Sequence, residues 1–206
     1  MTAVPQPPAA GLLLLTGGRG RRFGAPKHLQ AHPAGGSWGG HLVAVFEALF
    51  PGGPVHLLGQ GLPDRSDLAV LEDPGQGPAV ALRHWAEGAE GAEGAEGAKG
   101  APAPERWWLV GCDQIGWSSA ALGAWHRVVA EADPGAGHWV LARCQGRIQP
   151  LGGFLGAALV PALARTPGRS LMALAEALPT RVLEEEGPAW ADVDTPEAFA
   201  DYLRRR

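Results

Sequence analysis

Eleven consecutive residues, Gly17-Gly18-Arg19-Gly20-Arg21-Arg22-Phe23-Gly24-Ala25-Pro26-Lys27, hold four glycines, three arginines and one lysine. Glycine lets a backbone turn sharply and approach a ligand closely, so successive N–H groups can converge on an anion. The cationic side chains add charge at the same place. The lysine is informative by its rarity: of the 17 Lys and Arg residues, only Lys27 and Lys99 are lysines. A compact, mobile ammonium suits a phosphate oxygen, and an indifferent surface position in so Arg-biased a chain would carry arginine. Together these residues can bind phosphates, with Arg22 and Lys27 as the chosen cations. A solvated charge run would explain the arginines alone, but not glycines, lysine and a preceding apolar strand in one unit. The loop is not a Walker loop, because Ala25-Pro26 separates Gly24 from Lys27 and His28 follows the lysine. Nor is it the dinucleotide fingerprint, because three residues rather than two separate Gly20 from Gly24.

Chemistry on a bound phosphate group is mostly positioning and charge neutralisation. Magnesium, held by one or two carboxylates with phosphate and water, is the usual companion of a triphosphate. Asp113 closes the apolar run Trp107-Trp108-Leu109-Val110-Gly111-Cys112 and is the first candidate ligand. Asp194, just ahead of Thr195-Pro196-Glu197, is the second. Each has a plainer alternative as a turn or helix-cap residue. The seven histidines show no metal spacing, so no zinc site is expected. Cys112 reads as a small core residue rather than a nucleophile.

These groups need elements to position them, and the chain supplies strand-like and helix-like segments in alternation. The first strand is expected over 12–16, a helix over 38–50 and a second strand over 55–58. A helix over 77–86 opens with Gly77-Pro78, and a third strand covers 107–110. Ser118-Ser119 can cap a helix reaching 131. Segments 138–143 and 148–155 can pair as a hairpin about Gln145-Gly146. Helices over 157–165 and 170–178, a strand over 180–184 and a last helix from Thr195-Pro196-Glu197 complete the order. Such alternation implies one α/β domain, a three-layer sandwich whose mostly parallel sheet carries helices on both faces. In such a sheet ligands sit beyond the carboxyl ends of the strands, where the Gly-rich loop, Asp113 and Asp194 can meet. Adjacent Trp107 and Trp108 must point to opposite faces, as in a sheet covered on both sides.

The pattern Gly-Gly-x-Gly-x-Arg-Phe-Gly-x-x-Lys resembles the signature loop of nucleotidyltransferases with a Rossmann-like fold. Within that superfamily the chain is most similar to the molybdenum cofactor guanylyltransferases. Val70-Leu71-Glu72-Asp73 with Gly77-Pro78-Ala79-Val80-Ala81-Leu82 resembles the family's acidic turn and Gly-Pro-led helix. Gly111-Cys112-Asp113, Gln149-Pro150-Leu151 and Asp192-Val193-Asp194-Thr195-Pro196-Glu197 resemble its later elements, in order. The chain departs from the family pattern at Pro26, at Gly59-Gln60-Gly61 and at Gln114-Ile115-Gly116.

The resemblance implies a nucleotidyltransferase domain over 11–206 that moves GMP from GTP to the phosphate of molybdopterin and releases pyrophosphate. It implies nucleotide contacts at Leu15, Thr16, Gly17, Gly18, Gly20, Lys27 and Asp73, with Lys27 and Arg22 catalytic. Asp113 and Asp194 would hold Mg2+. Asp73 has an alternative as the first residue of a Pro-Gly turn. Transient contact with molybdopterin-carrying or molybdopterin-accepting proteins is also implied. A cytidylyl or sugar-phosphate transferase is the near alternative, and a non-catalytic nucleotide or cofactor carrier the more distant one.

Composition agrees with a small-molecule enzyme. At 206 residues one domain can bury a sizeable core. A net charge of −4 offers no general attraction to nucleic acid or to an anionic membrane. No apolar run approaches membrane-spanning length. Two cysteines make no disulfide framework, and a cytoplasmic location is expected. Residues 1–10 read as a disordered leader, and 86–104, with their Ala-Glu-Gly triplets, as a flexible low-complexity insertion.

Overall fold

The apolar run Leu12-Leu13-Leu14-Leu15 sends alternate side chains to opposite sides of a sheet, and both sides are covered. The computed structural model describes residues 9–18, 23–71, 73–91 and 103–205. Its strands are β1 (Ala10–Leu15), β2 (Val55–Leu58), β3 (Ala69–Leu71), β4 (Arg106–Gly111), β5 (Trp139–Cys144), β6 (Arg147–Gly156) and β7 (Thr180–Glu184). They form one sheet in the order β3-β2-β1-β4-β6-β5-β7. The pairs β1–β2, β1–β4, β2–β3 and β5–β7 are parallel. Strand β6 runs antiparallel to both β4 and β5.

The helices are α1 (Trp38–Glu47), α2 (Pro78–Gly91), α3 (Ser119–Ala132), α4 (Val160–Arg165), α5 (Leu171–Ala177) and α6 (Pro196–Arg204). On one face Leu12, Leu14, Trp108 and Val110 pack with Leu42 and Phe46 of α1 and with Leu122 and Trp125 of α3. On the other face Leu13, Leu15, Trp107 and Leu109 pack with Leu82 and Trp85 of α2, Leu163 of α4 and Leu174 of α5. The three-layer expectation therefore holds, and Trp107 and Trp108 do divide between the layers. All eight tryptophans are buried, which places much of the chain's largest apolar area inside.

Local signals act where they were expected. The hydroxyl of Ser118 accepts from Ala121 N–H and that of Thr195 from Ala198 N–H, starting α3 and α6. Gln145 and Gly146 both take positive φ, the two-residue turn that suits a right-twisted hairpin. Several boundaries differ from the sequence reading: α1 ends at Glu47 rather than 50, and the helix expected from 157 opens with a 3-10 turn over Ala157–Leu159. Strand β1 begins at Ala10, inside the expected leader, because Glu105 N–H donates to Ala9 carbonyl and the parallel pairing with β4 starts there. Helix α2 continues to Gly91, through the first two Ala-Glu-Gly triplets, so residues 86–91 of the expected insertion are helical, alanine and glutamate favouring helix enough to carry it past 86. Strand β3, three residues at the sheet edge, was read only as the approach to an acidic turn. Residues 1–8 of the expected leader and 92–102 of the expected insertion lie outside the described residues.

Candidate active site

Three parallel strands end at one edge of the sheet, and each delivers a piece of the site. Beyond Leu15 the chain turns through Gly17 and Gly18, the latter at φ +104, a conformation that favours glycine. Gly17 has a further constraint, since a β-carbon there would collide with the Asp73 carboxylate. Gly59, at the end of β2, approaches Gly17 so closely that a side chain would strike its backbone nitrogen. Thr16 locks this junction. It is wholly buried, and its hydroxyl donates to the Gln60 carbonyl at 2.7 Å and accepts from Gln60 N–H at 2.9 Å. Gly59-Gln60-Gly61, the departure after β2, thus supplies the latch for the Gly-rich loop.

Behind the loop lies a cleft of about 810 Å3. Leu15, Gly17, Gly18, Lys27, Asp73, Asp113 and Asp194 all face it, together with Gly75 and Pro78 at the start of α2. Thr16 is absent from its described lining, because the hydroxyl is spent on Gln60. Gly20 and Arg22 lie outside the described residues. Asp73 forms the expected turn, its carboxylate accepting from Gly75 N–H at 2.9 Å, and still borders the cleft. The turn and the cleft-facing role are therefore compatible.

At the centre Lys27, in a 3-10 turn over Lys27–Leu29, reaches both acidic candidates. Its ammonium donates to Asp113 Oδ2 at 3.0 Å and to Asp194 Oδ1. Burial opposes the Lys27 charge and is the largest single influence on it, yet the two carboxylates together outweigh burial and raise its pKa. Lys27 is thus a charged ammonium across the physiological range. Gly111 makes room for this arrangement, since a β-carbon there would stand 2.6 Å from Asp113 Oδ1 and 3.1 Å from the Leu151 side chain.

Asp192, which the sequence reading did not select, stands beside the pair. It keeps solvent contact, and its carboxyl is pushed up to about 6. Displacement of water by surrounding protein is the main cause, followed by the charges of Asp113 and Asp194, while Lys27 and the Gln114 amide oppose them. Its sequence signal was the Asp-x-Asp spacing with Asp194. Cys112 is buried, and its thiol is pushed up to about 12, mainly by that burial, so it is no nucleophile at neutral pH. Among the described residues no group of three or more His, Cys, Asp and Glu side chains is arranged to hold a metal. Asp113 and Asp194 are instead two carboxylates converging on one cationic position. That donor set fits magnesium, which takes few protein oxygens and completes its shell with phosphate and water.

A family model described as a MobA-like NTP transferase domain matches residues 12–189. No match is found among curated proteins. Among solved structures, Rv0371c from Mycobacterium tuberculosis H37Rv is similar with a TM-score of 0.65 and 22% identity, over 96% of this chain and 98% of that one. A complex of Rv0371c with manganese is also known. Molybdopterin-guanine dinucleotide biosynthesis protein A from Archaeoglobus fulgidus has a TM-score of 0.63 at 12% identity, covering 95% of this chain and 100% of that one. For 2-C-methyl-D-erythritol 4-phosphate cytidylyltransferase from Thermus thermophilus the TM-score is 0.56 at 16% identity, with coverages of 94% and 98%. At these identities the likeness is one of fold. Among the described residues no helix is long and apolar enough to cross a membrane.

Proposed function

We propose that this chain, which belongs to the MobA-like NTP transferase domain family, transfers GMP from GTP to the terminal phosphate of molybdopterin. The observation that carries this reading is the meeting of Lys27, Asp113 and Asp194 in a cleft roofed by the Gly17–Gly18 turn. The Gly18 backbone N–H, with Arg22 and Gly20 farther along the loop, would hold the triphosphate, while the Gly17 N–H stays on the Leu58 carbonyl and Asp73 would meet the guanosine. Asp113 and Asp194 would hold Mg2+, which supplies positive charge to the triphosphate and to the departing pyrophosphate.

The reaction balances without a general base. An anionic oxygen of the molybdopterin phosphate forms a bond to the α-phosphorus of GTP. The bond from that phosphorus to the bridging oxygen of the β-phosphate breaks, and pyrophosphate leaves with the electron pair. Lys27 is the cation that moves. As GTP enters, its ammonium passes from the carboxylates to phosphate oxygens and donates hydrogen bonds to the charge that builds there. Leu15, Leu58 and Leu151 line the apolar side of the cleft and keep water from competing with the acceptor.

A cytidylyl transferase is the second reading, supported by the likeness in fold to the Thermus thermophilus enzyme. The test is pyrophosphate release with GTP, CTP, ATP or UTP, each with Mg2+ and either molybdopterin or a sugar-alcohol phosphate as acceptor. Release with GTP alone is expected. Release with CTP and a sugar-alcohol phosphate, and none with molybdopterin, would replace the first reading by the second. Nucleotide binding with no release from any pair would indicate a carrier.

A further inference from the structure

The loop that carries Asp113 is held by a row of donors. Between the end of β4 and the start of α3, every second carbonyl accepts a hydrogen bond from a distant segment. Asp113 carbonyl accepts from Val193 N–H at 3.0 Å. Ile115 carbonyl accepts from the Tyr202 hydroxyl at 3.1 Å. Trp117 carbonyl accepts from His41 Nε2 at 2.9 Å. A carbonyl oxygen can only accept, so His41 carries its proton on Nε2. Ile115 and Trp117 are buried, where a carbonyl without a partner is costly.

The donors are themselves braced. The His32 ring lies on the His41 ring, with centroids 3.6 Å apart and planes 14° apart. His32 Nδ1 accepts from Ala34 N–H, which leaves Nε2–H to face the Tyr202 oxygen at 3.5 Å. Tyr202 belongs to α6, a helix with no buried residue. It rests on a small separate core in which Trp38, Ile115 and Val193 are buried, with Phe23, Phe199 and Tyr202 packed against them. Phe23 is four residues from Lys27, Ile115 two from Asp113, and Val193 one from Asp194. One small core thus touches all three segments that carry the charged groups.

We propose that Tyr202 and His41 are positioning residues: Tyr202 ties the Asp113 loop to α6 and His41 ties it to α1, so that Asp113 and Asp194 share one cation position. Neither touches the cleft, and both act through the carbonyls they bind. The proposal rests on the nucleotidyl-transfer reading of that cleft.

The test measures Mn2+ binding to the full chain at saturating GTP by electron paramagnetic resonance, taken as the change from a matched solution of Mn2+ and GTP without protein, because the triphosphate itself binds Mn2+. Tyr202→Phe keeps the ring and removes the donor; His41→Ala removes the other, and His41→Gln restores an N–H near the Nε2 position. The expected result is about a tenfold weaker Mn2+ dissociation constant in Tyr202→Phe and His41→Ala, the scale of losing a partner behind a metal ligand. His41→Gln should recover most of it, and Tyr202→Phe should lose only a few degrees of melting temperature, the scale of one orphaned carbonyl, and remain fully folded at the assay temperature. Unchanged Mn2+ affinity in Tyr202→Phe would overturn the proposal. So would a loss of affinity that merely follows a loss of folded protein across the three variants. If the parent chain binds no Mn2+ with GTP, the nucleotidyl-transfer reading itself fails, and the two failures are told apart by the parent alone.

Discussion

At the scale of single residues, Lys27 is the pivot. It stands on a loop rich in arginine, yet it alone among the described cations reaches the cleft. Its partners are 86 and 167 residues away along the chain. Replacing it by alanine leaves two carboxylates facing each other and, in the proposed reaction, would remove a donor from the transferring phosphate. Lys27→Ala is expected to lower the rate of pyrophosphate release by about two to three orders of magnitude, the usual scale for one donor to transition-state charge. Nucleotide binding should persist, carried by the backbone of the loop. Asp113→Ala is expected to abolish activation by Mg2+, read as a flat response of pyrophosphate release to added metal. A normal rate in either variant would remove that residue from the mechanism.

At the scale of elements, the turn from Leu151 to Gly152 in β6 shows how a distant strand shapes the cleft. Gly152 takes φ +85. Its carbonyl accepts the indole N–H groups of both Trp108 and Trp125, at 3.1 and 3.0 Å. Its α-carbon faces the Trp190 ring so closely that a β-carbon would overlap it. One residue earlier, Leu151 lines the cleft and offers its carbonyl to the Gln114 amide at 3.4 Å. Gly152→Ala would force both a left-handed backbone and a clash between packed rings. A loss of about 1–3 kcal/mol is expected, measured as a lower denaturant midpoint at unchanged slope. Stability equal to the parent would show that β6 can shift there freely.

At the scale of the whole molecule, enclosed histidines shape the response to acid: burial lowers the pKa of His28, His56 and His126, the last most clearly. His126 of α3 is buried between the rings of Phe50 and Phe154. Its pKa is held down to about 4, chiefly by burial and also by the Arg106 guanidinium nearby. An unfolded histidine titrates near 6.5. Between those values the unfolded chain binds a proton that the folded chain refuses, so stability is full above about pH 6.5 and falls as the pH drops toward 4. His126→Phe keeps the aromatic packing and removes the titration. It is expected to flatten the fall in melting temperature over that range. A parallel fall in parent and variant would assign the acid response to other groups.

Much of this was written in the local chain. Alternating apolar runs specified the strands and both covered faces, because side-chain direction in a strand depends only on residue parity. Ser118, Thr195 and Gln145-Gly146 marked helix starts and the hairpin, because caps and tight turns are short-range hydrogen-bond and dihedral requirements. The Gly17-Gly18 turn after the first strand was marked for the same reason, and it borders the cleft. Strand β3 was missed because three half-exposed residues at an edge carry no periodic signal. That the Gly-rich loop, Asp113 and Asp194 meet at one sheet edge was legible from the order of strands and loops; the direct contact of Lys27 with both carboxylates, the Thr16–Gln60 latch and the Asp192 carboxyl beside the site belong to tertiary structure alone. So do the donors that Tyr202 and His41 send to the Asp113 loop. Each depends on the distance between segments far apart in sequence, and no local pattern encodes such a distance until the sheet order brings the strand ends together.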